Sequence, residues 1–203
     1  ILQTQLTMTT HKHLSLLTIL LLSSCLVLSF ANEEPEIVEA EFASSHDGER
    51  MLQSYPNIRI HMDYEHVDGG EGTPEWKEYL KTQLLPSIQN YFQGALKVRH
   101  PLISKIKSTK TSLCGFPTPQ AIKNGVDADI VFFINTKYAP TASWLAATTL
   151  CTVAASNGVT KPQIVNIGIN SYFVDIADPV NNPLIHDLNI VTLAHEFIHG
   201  FAM

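Results

Sequence analysis

The tightest constraint on this fold lies near the end of the chain, where Asn182-Pro183 precedes an unbroken helical pattern, LIHDLNIVTLAHEFIHGFAM. Asparagine at the cap and proline at the first helical position mark a helix start. The amide side chain satisfies a free N–H, and the proline ring has no N–H to satisfy. Taking Leu184 as zero and about 100° per residue, Leu188, Ile190, Val191, Leu193, Ala194, Phe197, Ile198 and Phe201 spread over most of the circumference. A helix that is apolar nearly all round is expected to be buried. From Asn189 onward its polar residues share one sector, with His195 at about 20°, His199 at about 60°, Thr192 at about 80°, Glu196 at about 120° and Asn189 at about 140°. A buried helix with one polar stripe has to point that stripe at something.

The stripe contains His195-Glu196-Phe197-Ile198-His199. Two histidines four apart lie one turn from each other, so both imidazoles can reach one Zn2+ at ~2.0–2.1 Å. Glu196 projects from the same side, offset by about 60–100°, where it can act on water at the metal without ligating it. It would take a proton from that water and later pass it to the leaving amine. This is the His-Glu-X-X-His arrangement of zinc peptidases. The spacing therefore predicts His195 and His199 as metal ligands and Glu196 as the catalytic base.

Upstream, Ile58 to Glu65 alternates apolar and polar residues as a half-buried strand does, and Asp68-Gly69-Gly70-Glu71-Gly72 breaks it. Thr73-Pro74 then starts a long helix carrying Trp76, Leu80, Leu84, Ile88 and Phe92, with Pro86 as a site for a kink. Leu113–Pro119 reads as loop. Ala128–Ile134 is a continuous β-prone run, expected to be a central strand buried on both faces. Residues 139–160 show no clear period, whereas Gln163–Asn170 alternates as a strand. Strands interleaved with two long helices predict an α/β (α+β) fold.

The first 31 residues hold no acid, and Leu14–Phe30 is an apolar run ending in Ser29-Phe30-Ala31. Small residues at −3 and −1 give the layout of a secretory signal peptide cut after Ala31, so the protein is expected to be secreted or displayed at the cell surface. Residues 32–55 are acidic and aperiodic, and read as a flexible leader or pro-segment; residues 56–203 carry the domain. Loss of residues 1–31 removes Lys12 and no acid, moving the net charge from −6 to −7. Such a balance offers no basic track for phosphates and excludes nucleic acid as a partner. Cys25 leaves with the signal, so Cys114 and Cys151 remain. In an oxidising compartment an even pair predicts one disulfide, rather than two buried thiols.

Around its zinc motif the chain resembles the leishmanolysin family of metallopeptidases, within the metzincin group. Pro56-Asn57-Ile58-Arg59-Ile60, Leu113-Cys114-Gly115, Asp127–Val131, Thr141–Ala146 leading to Cys151, and Lys161–Asn170 follow in the family's order. The resemblance implies a metzincin-like N-terminal subdomain: a twisted mixed sheet, a long backing helix and a buried active-site helix. It also implies that Lys161–Asn170 borders the cleft and pairs with extended substrate. The implied activity is zinc-dependent endopeptidase action on proteins or peptides, with a link to cell adhesion and membrane association through a C-terminal part beyond this chain. The family's third histidine and methionine turn are expected beyond Met203, which would leave this fragment two of three ligands and no activity. Where the family has glycine three residues after its second histidine, this chain has Ala202. The alternative is a catalytically dead relative acting as an adhesion or binding module.

Overall fold

A computed structural model of the protein describes residues 35–41, 55–156, 159–172 and 181–202. The signal-peptide pattern of residues 1–31 lies outside them. The fold is mixed α/β, built on a five-stranded sheet with parallel and antiparallel neighbours. Its strands are β1 (Glu36–Glu39), β2 (Ile60–Asp63), β5 (Ile130–Lys137), β6 (Ala146–Ser156) and β7 (Val159–Asn170). Their spatial order is β1-β6-β7-β5-β2. β2, β5 and β7 run parallel; β6 is antiparallel to β7, and β1 is parallel to β6. A separate hairpin joins β3 (Ser112–Leu113) to β4 (Phe116–Pro117).

β5 is the expected central strand, buried from Ile130 to Thr136 because both its edges and both its faces are covered. Ile130, Phe132 and Ile134 face one core with Val165, Ile167 and the helices. Val131 and Phe133 face a second core with Ile164, Leu113 and Ile122. Successive side chains on a strand point to opposite faces, so one strand serves both cores.

The helices are α1 (Glu65–Asp68), α2 (Pro74–Tyr79), α3 (Leu85–Ala95), α4 (Gln120–Asn124) and α5 (Pro183–Phe201). The Thr73 side chain accepts from the Trp76 N–H, as its cap position requires. The break in the long helix falls at Leu80–Leu84, one turn before Pro86, where the backbone winds as a π-helix. Pro86 has no N–H to offer the carbonyl four residues earlier, and the wider turn bonds Leu85 N–H to the Leu80 carbonyl instead. α3 then seals the free edge of β2. Gln93 Oε1 accepts from the Ile60 N–H at 3.1 Å, and Gln89 Nε2 donates to the Ile60 carbonyl at 2.8 Å.

Several expectations are corrected. The acidic stretch read as flexible supplies β1, whose Glu36–Glu39 pairs with Thr152–Ala155. An ion pair from Lys110 to Glu36 at 3.0 Å also holds it. Lys161–Asn170, expected to border a cleft, lies inside β7, where β5 pairs with Ile164–Asn170 and β6 with residues up to Ile169; β6 is the strand outside it. Leu113–Pro117 is a tight hairpin rather than a loop. Its two central residues, Cys114 and Gly115, have φ of 50° and 79°, the handedness that a two-residue hairpin turn needs.

Cys114 and Cys151 form the expected disulfide, with Cα atoms 5.4 Å apart. Cys151 is the extra residue of a bulge, between the Leu150–Val165 and Thr152–Ile164 pairs. A bulge re-aims its side chain, which here turns toward the hairpin. At the sheet's other end, Asp129 accepts bonds from Arg59 N–H (2.9 Å), Nε (3.0 Å) and Nη2 (2.9 Å), and from Leu102 N–H (2.8 Å). Burial pushes this carboxyl upward, but the Arg59 and Leu102 donors outweigh it and hold its pKa below the ordinary value.

Candidate metal centre

α5 positions the motif residues. The Asn182 side chain accepts from Leu184 N–H at 3.2 Å, so the helix starts where the cap signal put it. Leu193, Phe197 and Gly200 form its buried face, at the i, i+4, i+7 spacing that one side of a helix presents. Phe197 packs on Phe132 with ring centroids 4.4 Å apart. Gly200 brings the helix close to the sheet, since a Cβ there would stand 2.6 Å from Phe132 Cε1.

The helix is not buried all round, as its composition led one to expect. Leu184, Val191 and Ile198 are exposed, because the sheet covers one side of the helix only. His186 is half-buried, with Nδ1 2.7 Å from the Tyr79 hydroxyl.

His195 and His199 are both exposed, and their Nε2 atoms lie 2.9 Å apart. The rings are nearly perpendicular, at 86°, with centroids 4.5 Å apart. Two nitrogens at ~2.05 Å from one tetrahedral zinc stand ~3.3 Å apart, so the pair needs to open by about 0.4 Å. The two ε nitrogens thus stand near the separation that two ligands of one zinc would have. Among the described residues, no group of three or more His, Cys, Asp or Glu is arranged to hold a metal. A catalytic zinc is normally held by three protein ligands, of which this pair would offer two.

Glu196 is half-buried beside the pair. Its Oε2 and its backbone oxygen each lie 2.8 Å from Thr148 Oγ1 on β6. Sequence reasoning missed Thr148, which sits in a stretch with no readable period and belongs to no motif. The rest of the polar sector divides. Thr192 and Asn189 turn inward to a cavity of about 30 Å3 lined also by Trp76 and Leu193, while the histidines face outward. His66 is a packing residue, with Nε2 2.7 Å from the Pro117 carbonyl and its ring between Phe116 and Phe133. A larger open groove, about 730 Å3, lies between β1 and Ser104, and no described histidine lines it. No helix among the described residues is long and apolar enough to cross a membrane.

No protein-family model matches the chain, and no curated protein matches it.

Proposed function

We propose that this chain carries the zinc-binding and general-base residues of a metalloendopeptidase of the leishmanolysin type, with a metzincin-like N-terminal subdomain. The observation that carries the reading is the convergence of His195 and His199 through Nε2 atoms 2.9 Å apart, with Glu196 on the same helix and within reach of the sheet edge. Zinc, when bound, would polarise the scissile carbonyl and acidify water. His195 and His199 would hold it through neutral ε nitrogens. Glu196 would accept the water's proton and return one to the leaving nitrogen. The antiparallel strand β6 lies outside β7, beside Glu196, and its Ala146–Cys151 stretch is not paired by β1. An extended peptide could add to that edge through main-chain hydrogen bonds.

The Cys114–Cys151 bridge and the leader pattern support a secreted or cell-surface setting, since such bridges persist where thiols are not kept reduced. The test is casein cleavage by the full-length protein. Cleavage is expected to stop with a chelator, return with zinc, and vanish in Glu196→Gln with zinc still bound. Zinc binding without chelator-sensitive cleavage would assign the chain to a binding module instead.

A further inference from the structure

A general base works only if its carboxylate is held in one place, and the neighbouring histidines do not hold this one, being bonded to each other. Among the described residues, one side chain reaches it. We propose that Thr148 is the positioning residue of Glu196: its hydroxyl ties Oε2 to the sheet and leaves the other carboxylate oxygen free to face water. The inference rests on the reading of Glu196 as a base.

The geometry specifies the donor. Thr148 Oγ1 carries one proton and meets two acceptors at 2.8 Å, the Glu196 carboxylate and the Glu196 carbonyl. That carbonyl lies within α5, where it already receives the N–H four residues on. Glu196 Oε2 has no other protein donor among the described residues, so it is the acceptor that still lacks a partner. The carbonyl contact fixes where the hydroxyl stands, and the donor is doubly constrained. Thr148 pairs with Ile167 in the ladder, and a β-branched side chain is stiff at its first torsion.

Packing alone does not call for threonine here. Its neighbours on the same face of β6, Ala146 and Leu150, pack into the apolar core under α5. Valine has the same shape and would suit that row. The hydroxyl is the odd feature, and the one polar group it aims at is the motif glutamate. Position 148 also lies on the stretch of β6 that β1 leaves unpaired, so the base and the strand edge are mechanically one piece.

The test compares Thr148→Val and Thr148→Ser in the zinc-loaded full-length protein. Thr148→Val is expected to lower kcat about tenfold with KM and zinc affinity within about twofold, since it removes a bond to the base and no ligand. Thr148→Ser, which keeps the hydroxyl, is expected to restore most of kcat. A Thr148→Val kcat within twofold of wild type, or a serine variant as slow as the valine one, overturns the proposal. A second readout needs no zinc. In a urea-denaturation cycle of Thr148→Val, Glu196→Ala and the double variant, non-additive midpoints support the contact and additive ones overturn it. If the wild type shows no chelator-sensitive cleavage, the base reading itself fails, and the catalytic role of Thr148 fails with it.

Discussion

Gly200 offers a sharp test of how α5 is seated, because two opposing effects meet there. Alanine in place of a helical glycine gains about 0.8–1 kcal/mol of backbone entropy and helix propensity. At this position the new Cβ would stand 2.6 Å from Phe132 Cε1, 3.2 Å from Phe132 Cζ and 3.2 Å from Val165 Cγ1. Phe132 cannot swing aside. It is fully buried, with Phe197 at 4.4 Å and Phe201 at 5.2 Å between centroids. Forcing a methyl into such a contact costs about 1–3 kcal/mol. The clash outweighs the gain, and Gly200→Ala is expected to destabilise by roughly 1 kcal/mol, lowering Tm by about 2–4 °C. Gly94, near the end of α3, is the control: a Cβ there meets nothing within 4 Å. Gly94→Ala is therefore expected to stabilise by up to about 1 kcal/mol. Urea denaturation of both variants measures the difference directly. If Gly200→Ala raises the midpoint as much as Gly94→Ala does, the close seating of α5 on the sheet is wrong.

Other expected outcomes follow from the same contacts. Replacing both Cys114 and Cys151 by alanine opens a loop with a sequence separation of 37, which loop-closure entropy values at about 3–4 kcal/mol, read by urea denaturation without reductant. Asp129 has a lowered folded pKa, so its contribution is complete above the ordinary carboxyl value near 3.8 and is lost as pH falls through the lower folded value. The urea midpoint should hold above about pH 5 and drop below about pH 4, and Asp129→Asn should flatten that drop. His195→Ala or His199→Ala should each remove zinc binding in a competition titration while leaving the unfolding free energy from urea denaturation within about 0.5 kcal/mol of wild type, both side chains being exposed.

The parts of this fold legible in the sequence are those set by local chemistry. Thr73 and Asn182 cap their helices because a cap depends on residues two or three positions away. The histidine pair was legible for the same reason, since helix geometry alone brings positions four apart together. The apolar run at Ile130–Ile134 declared a doubly buried strand through its composition. What could not be read depends on distant partners. β6 is rich in Ala and Thr and has no clean alternation, and it is a strand because β7 pairs with it along its length. β1 needs the edge of β6, far away in sequence, before its residues have any reason to extend. The exposed side of α5 was likewise hidden, as periodicity shows where apolar residues lie and not how much of the circumference a single sheet can cover. Thr148 escaped for a related reason: its partner is on another element.

The place of β1 in the sheet also sets an order of assembly. β6 and β7 are consecutive, so their antiparallel pairing closes a short loop and costs little chain entropy to start. β1 meets β6 across more than a hundred residues by four paired positions; among the described residues it adds one outlying ion pair and has no strand on its other side. Such a long-range contact is slow to form, and an edge element with few bonds is the first to open. β1 should therefore dock last and leave first. In native-state hydrogen exchange its amides should trade with solvent well before those of β5 and β7, which would mark residues 36–39 as a detachable margin on a sheet that closes without them.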